Sequence, residues 1–255
     1  MPSSSSSTEA HARGPRPLVV WRLSDGTRGH DNQSRGLLEA IGRLTPVEAH
    51  ELPAPACLPA LADWVTGRTP DGVPDGRPDL VLGAGHRTHA GLLATRRACG
   101  GRSIVLMRPT LPLALFDLAL VPRHDDPPAR ANVETTVGAL NPMRPGTARD
   151  PDLGVVLIGG PSRHHDWDEV ALLAQIGAIA AAEPRRRFVI TDSRRTPDGT
   201  RARLAAGITA NAVLQPAATT GPEWLPGLLA RAPVAWVTAD SVSMIHEALT
   251  AGCQV

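Results

Sequence analysis

Short apolar runs alternate with helical segments along almost the whole chain after residue 17. The runs have the length and the Val, Leu and Ile content of buried strands. Strands are predicted at residues 18–21, 47–52, 79–82, 102–107, 118–121, 153–158, 187–191, 212–215 and 234–237. Because a helix between two strands allows a parallel crossover, this alternation predicts an α/β fold with doubly wound parallel sheets.

A segment rich in proline and glycine, residues 142–151, interrupts the alternation. We therefore predict a linker at 142–151 between two Rossmann-like domains, residues 18–141 and residues 152–255. Ligands of doubly wound sheets bind at the carboxyl ends of the strands, so the two domains are expected to face a cleft. Residues 1–17 contain a serine run without an apolar stretch, which indicates a disordered tail and not a signal peptide.

Charge, cysteine content and hydropathy indicate which ligands and which cellular compartment to expect. The net charge of +1 gives no electrostatic argument for binding nucleic acid. The cysteines at 57, 99 and 253 are isolated, which favours reduced thiols over a disulfide framework or a zinc site. No apolar segment approaches the ~18 residues that a membrane span requires. A cytoplasmic protein is expected.

The last strand and the helix after it form the most informative stretch. The apolar run 234–237 is followed by Asp240 and Ser241, either of which is a suitable N-cap. Val242, Ile245 and Leu249 then recur with the spacing of a helix face that packs against the core.

A second face of this helix carries polar groups. Ser243 and Glu247 are four residues apart on one face of the helix, in its first two turns, close to the positive N-terminal end. The free N–H groups of a helix N-terminus bind phosphate, and a carboxylate one turn further on can accept hydrogen bonds from ribose. The stretch fits a nucleotide site, and it fits an ordinary capped β–α unit equally well.

Six sequence blocks, in this order, resemble the family named after the mitochondrial fission ELM (Elongated Mitochondria) proteins, whose members are described as GT-B-like glycosyltransferases. The blocks are GHDNQSRGL at 29–37, LGAGHRT at 82–88, DLALVPRHD at 117–125, IGGP at 158–161, TDSRRTP at 191–197 and VTADSVSMI at 237–245. The resemblance implies a second domain that binds a nucleotide sugar. It also implies that this domain is incomplete at its C-terminus, because Val255 falls inside the next expected strand.

The resemblance implies a donor site that works without a metal ion. The expected donor-binding residues are Gly159, Gly160, Ser193, Arg194, Arg195, Asp240, Ser241, Ser243 and Glu247. The two glycines would let a pyrophosphate approach the backbone, and the two arginines would grip it. His246 stands where the family usually has a small residue, and we expect it to crowd the ribose pocket.

The first domain is implied to hold the acceptor. The loop around His30 is similar to the acceptor loop of the peptidoglycan N-acetylglucosaminyltransferase. An imidazole can take a proton from an acceptor hydroxyl at neutral pH, with Asp25 as the reserve base. The alternative for His30 is a bond to the backbone at a helix start. The expected acceptor-side residues are Gly26, Gly29, Asn32, Gln33, Gly83, Gly85 and Arg87.

The predicted function is sugar transfer from a nucleotide sugar to a cell-envelope glycolipid or polysaccharide, without a cofactor. The alternatives are a non-catalytic adaptor on the same scaffold and a nucleotide-sugar epimerase. The apolar run 111–116 either touches the inner face of a membrane or leads into the core, and the core is favoured. The cluster His164, His165, Asp166 and Asp168 raises the question of a metal site but is interpreted as surface, because adjacent histidines point apart.

Overall fold

The computed structural model describes residues 16–162 and 165–255, and the first domain within them is built on a parallel sheet. Its strands are β1 (Leu18–Ser24), β2 (Val47–Pro53), β3 (Leu80–Ala84), β4 (Arg102–Leu106), β5 (Leu118–Pro122) and β6 (Val133–Thr136). They are ordered β2-β1-β3-β4-β5-β6. The helices are α1 (Arg28–Gly42), α2 (Cys57–Thr66) and α3 (His89–Cys99). The predicted strands of this half are confirmed, and β6 is an addition.

The second domain repeats the same plan on a smaller sheet. Its strands are β7 (Leu153–Leu157), β8 (Arg187–Thr191), β9 (Ala212–Leu214) and β10 (Val234–Val237), ordered β10-β7-β8-β9 and all parallel. Its helices are α4 (Glu169–Ala182), α5 (Asp198–Gly207), α6 (Trp224–Arg231) and α7 (Val242–Thr250). Beyond α7, Gln254 forms a parallel bridge with Val234 at the edge of this sheet.

Each sheet reverses its winding direction once. In the first domain the chain leaves β1 for β2 on one side and returns to β3 on the other. In the second domain β8 and β9 lie on one side of β7, whereas β10 lies on its other side. The crevices at the carboxyl ends of β1/β3 and β7/β10 are therefore the positions where such folds bind ligands.

Helix α7 packs through a different face from the predicted one. Val242 and Leu249 are 45% and 49% exposed, so the predicted apolar stripe through them is wrong. Met244, Ala248 and Ala251 instead pack against the core of β7 and β10. They have i, i+4, i+7 spacing, and small alanines allow the helix to approach the sheet closely.

The segment between the two sheets packs on the second domain. Met143 lies in the second core, and Arg149 donates hydrogen bonds of 2.7 and 2.9 Å to the carbonyls of Ala232 and Ala251. The backbone of Asn141 lies directly against Gly36 of α1, where a Cβ would overlap it. The predicted linker 142–151 thus begins directly after residue 141, whose backbone packs closely against α1.

Two predictions about the surface meet different outcomes. Leu111, Leu113 and Leu115 pack on the first core and Phe116 is buried, as expected for a lead into the core. Of the predicted tail, residues 1–15 lie outside the described residues, whereas Arg16 forms a bidentate pair with Asp79. Within residues 16–162 and 165–255, no helix combines the length and apolar character that crossing a membrane requires.

Candidate functional site

A cleft of about 730 Å³ lies between the two domains. Its walls are the N-terminal half of α1, the N-terminal half of α7, the loop after β8 and the segment that leads into α6. Expected site residues in its lining are Gly26, Gly29, Asn32, Ser193, Arg194, Arg195, Ser241, Ser243 and Glu247. The structure therefore brings most of the predicted donor-binding residues together with part of the predicted acceptor loop.

The N-terminus of α7 faces this cleft with free backbone donors. Ser241 is the N-cap, and its side chain makes no capping hydrogen bond. The first backbone bond of the helix runs from the Ile245 N–H to the Ser241 carbonyl at 3.1 Å. The N–H groups of residues 242–244 therefore have no partner within the helix and can accept an anion as a ligand.

Glu247 lies one turn further along α7 and connects the two domains. Its side chain is buried, and Asn32 of α1 donates a hydrogen bond of 2.9 Å to its carboxylate. Burial raises the pKa of this carboxyl, and the Asn32 hydrogen bond and the positive charge of Arg28 oppose that rise only partly. A ribose bound here would have to share or replace the Asn32 contact.

Asp240 does not face the cleft, contrary to the expectation for a donor-binding residue. Its carboxylate accepts a hydrogen bond of 2.9 Å from the Gly160 N–H and pairs with Arg195 at 2.6 Å. A Cβ at Gly159 would overlap this carboxylate, and one at Gly160 would overlap the Arg195 carbonyl. The two glycines make room for the protein itself and not for a pyrophosphate, because Asp240 already occupies the crevice between β7 and β10.

The cleft contains five arginines, and their partners divide them into two groups. Arg22 pairs with Asp31 and Glu51, Arg35 with Glu39 and Glu223, and Arg195 with Asp240. Arg28 and Arg194 form no hydrogen bond or ion pair with any residue that the structure describes. Both are exposed. Arg28 is absent from the predicted site residues although it lies in the predicted acceptor loop between Gly26 and Gly29, because its lack of a partner depends on the fold.

His30 and Asp25 form a hydrogen-bonded pair at the carboxyl ends of β1 and β3. The imidazole Nδ1 lies 2.9 Å from the Asp25 carboxylate, which is 1% exposed. Burial favours the neutral form of Asp25, but hydrogen bonds from His30 and from the Thr27 N–H outweigh it and hold its pKa below the ordinary value. The nearly complete burial of Asp25 and its contact with His30 fit a residue that orients the imidazole, and the role of Asp25 as reserve base stays a prediction.

The His30 ring lies beside the cleft and not in its lining. The ring packs on Gly85, where a Cβ would overlap it and where φ is +84°. Gly83 similarly makes room for Thr88. Gln33 is buried and Arg87 is exposed, and neither belongs to the lining of the cleft. Of these four predicted acceptor-side residues, the two glycines make room for neighbouring side chains, and the other two lie away from the cleft.

His246 does not crowd the cleft, contrary to expectation. Its ring lies against Gly138, where a Cβ would overlap it, and stacks on His124 with centroids 6.5 Å apart. It therefore contributes to the contact between the domains. Of the predicted surface histidine cluster, His164 lies outside the described residues. Among the residues that are described, no three His, Cys, Asp or Glu side chains form a metal-binding group.

A buried histidine lies close to His30. His89 is 3% exposed, and its Nδ1 lies 3.2 Å from the Thr110 hydroxyl. Burial is the main cause, and electrostatic repulsion from His86 and His30 a smaller one, of a pKa of His89 lowered to about 4. The imidazole of His89 is thus neutral at physiological pH and serves the packing of α3.

Comparison with solved structures identifies proteins of the same architecture. A candidate UDP-N-acetylglucosamine 2-epimerase from Listeria monocytogenes aligns with a TM-score of 0.57 at 14% identity, over 94% of this chain and 78% of that one. The S. aureus MnaA protein in complex with UDP gives 0.55 at 13%, over 94% and 79%. The glycotransferase of kitacinnamycin gives 0.51 at 16%, over 94% and 80%. These likenesses confirm the predicted GT-B-like fold of two Rossmann-like domains.

Sequence comparison identifies the family. No curated protein matches this chain. The family model described as mitochondrial fission ELM1 matches residues 28–255, which include every sequence block that carried the resemblance. The chain belongs to the mitochondrial fission ELM1 family.

Proposed function

We propose that this protein is a metal-independent glycosyltransferase that binds a nucleotide sugar in the cleft between its domains. The observation that carries this proposal is the lining of the cleft: free N–H groups of α7, unpaired arginines and the Glu247 carboxyl lie in one cavity at the carboxyl side of the sheets. The N–H groups and the arginines suit a phosphate or a charged leaving group, and the carboxyl suits the hydroxyl groups of a ribose. The structural likeness to a UDP complex supports the same class of ligand.

The chemistry divides between the two domains. The acceptor hydroxyl loses its proton to His30, its oxygen attacks the anomeric carbon of the sugar, and the bond from that carbon to the diphosphate breaks. Asp25 orients the imidazole and stabilises its protonated form. The departing diphosphate is stabilised by the N-terminus of α7 and by arginine, which together replace a metal ion. A cell-envelope glycolipid or polysaccharide is the proposed acceptor, reached from the cytoplasmic side.

The experiment has two stages. Thermal-shift and calorimetric titrations with UDP-, GDP-, ADP- and CMP-sugars, with and without EDTA, identify the donor. Release of the nucleoside diphosphate, or of CMP if the donor is a CMP-sugar, is then followed with envelope glycolipid and polysaccharide fractions as acceptors. We expect binding that resists EDTA. We expect His30→Asn to lower turnover by about 10²–10⁴-fold while donor affinity changes little.

The matched control is His50→Asn, because His50 is a partly exposed histidine that pairs with Glu48 on the edge strand β2. Full activity in His30→Asn would remove His30 from the mechanism. Absence of binding to every nucleotide sugar would remove the proposed function altogether.

An epimerase is the second candidate, since one of the three structural neighbours is described as a UDP-N-acetylglucosamine 2-epimerase. Epimerisation changes the sugar without releasing nucleoside diphosphate. Product analysis with donor alone therefore separates the two reactions. Donor binding without either reaction would favour the non-catalytic adaptor.

A further inference from the structure

Two cleft arginines lack partners, and they belong to different domains. Arg22, Arg35 and Arg195 are held by carboxylates, and Arg195 also donates to the Gly160 carbonyl at 2.8 Å. Arg28 begins α1 in the first domain, and Arg194 lies in the loop after β8 in the second. Neither has a hydrogen bond or ion pair with a described residue, so each is free to bind an anion that enters the cleft.

Hydrogen bonds at the preceding residue anchor the backbone of Arg194. Ser193 donates a hydrogen bond of 2.9 Å to the Gly159 carbonyl, and its own carbonyl accepts one of 2.8 Å from Arg201. The backbone before Arg194 is thereby tied to two neighbouring elements. An anchored loop that carries an unpaired guanidinium loses little backbone freedom when a ligand binds.

The surroundings of Arg28 leave its charge largely uncompensated. The acidic group whose charge it influences is Glu247, and that carboxylate already accepts a hydrogen bond from Asn32. Glu247 is buried, and among the residues that the structure describes no carboxylate lies within ion-pairing distance of Arg28. The cleft therefore presents two available positive charges, one on each wall.

We propose that Arg28 and Arg194 grip one diphosphate group from opposite sides of the cleft, so that the binding site requires both domains. This inference rests on the proposed function for the identity of the ligand. A diphosphate carries two or more negative charges and several acceptor oxygens, which match two planar guanidinium groups. The same chemistry is present in a nucleoside diphosphate and in an isoprenyl diphosphate, and the test distinguishes them.

The test measures binding of inorganic pyrophosphate, the four nucleoside phosphates released from the donors above, and farnesyl diphosphate. Each is titrated calorimetrically into the wild type, Arg28→Ala, Arg194→Ala and the double variant. We expect each single substitution to weaken pyrophosphate roughly 10- to 100-fold, because each removes a charge-assisted contact. Unchanged melting temperatures would show that the exposed substitutions leave the fold intact.

The matched control is Arg43→Ala. Arg43 is exposed, caps the opposite end of α1 and forms no side-chain bond with a described residue, so its removal should change affinity less than twofold. Nucleoside diphosphate binding that depends on Arg194 but is equal in Arg28→Ala and Arg43→Ala would refute the two-domain grip and leave the proposed function standing.

The opposite failure is also distinguishable. Binding of pyrophosphate and farnesyl diphosphate that depends on both Arg28 and Arg194, without binding of any nucleotide, would uphold the grip and refute a nucleotide-sugar donor. If no diphosphate binds to the wild type, the inference itself is wrong.

Discussion

The crevices at the two switch points are built alike but hold different side-chain pairs. At the end of β1, the Asp25 carboxylate pairs with His30, whose ring fits against Gly85. Near the end of β10, the Asp240 carboxylate pairs with Arg195 and fits against Gly159. In both domains a glycine at a strand end makes room for a side chain of the protein.

The partners of the two carboxylates explain the difference. An imidazole can gain or lose a proton near neutral pH, and the His30 side chain keeps 22% exposure. A guanidinium keeps its charge, and Asp240 also accepts from the Gly160 N–H, so the second crevice is closed by the protein's own anion. A glycine-rich strand end in this fold is thus not in itself a phosphate site. The groups free for a ligand lie further out, in the cleft.

The largest expected effect tests whether the second crevice is filled. Gly160→Ala should destabilise the protein by about 2–4 kcal/mol, because the new Cβ would overlap the Arg195 backbone carbonyl, which cannot rotate away. Urea unfolding at pH 7 measures the change.

Gly177→Ala is its matched control, the same substitution inside α4 at a glycine with no neighbouring atom within 4 Å. It should stabilise by up to ~1 kcal/mol through helix propensity. Equal stability of the two variants would mean that the crevice is open, as the sequence suggested.

A smaller expected effect is the acid sensitivity that buried His89 gives to the stability of the protein. An unfolded histidine takes up a proton below about pH 6.5, whereas folded His89 does so only near its pKa of about 4. Between these values the unfolded state binds more protons, so stability is complete above pH 6.5 and falls as the pH falls. At pH 5.5 the loss from this residue should be about 1 kcal/mol.

His89→Asn should remove this dependence while the amide can still bond to Thr110. Comparison of unfolding free energies at pH 7.5 and 5.5 in both proteins measures it. An identical pH dependence would show that His89 already titrates in the fold as it does in the unfolded chain.

Much of the fold was predictable because strand runs and helix periods are local signals. The polar strand β6, with Glu134, Thr135 and Thr136, has no apolar run and gave no such signal. The packed face of α7 was mispredicted because large apolar residues were counted, whereas the alanines at 248 and 251 make the contact.

The location of the site was predictable from the sequence, but the contacts between its side chains were not. Strand ends and a helix N-terminus placed Ser241, Ser243 and Glu247 in the cleft from sequence alone. Which arginine is free depends on which carboxylate reaches it across the fold. Asp240 reaches Arg195 over 45 residues of sequence, and no local pattern encodes that contact. For the same reason Arg28 was missed.

The most direct measurement is a crystal structure of the protein with the nucleoside diphosphate of its donor. Our account places the diphosphate in the cleft between α1 and α7, in contact with Arg28 and Arg194, while Asp240 stays bonded to the Gly160 N–H. A diphosphate bound at Gly159 and Gly160 with Asp240 displaced, or a nucleotide bound outside the cleft, would contradict it.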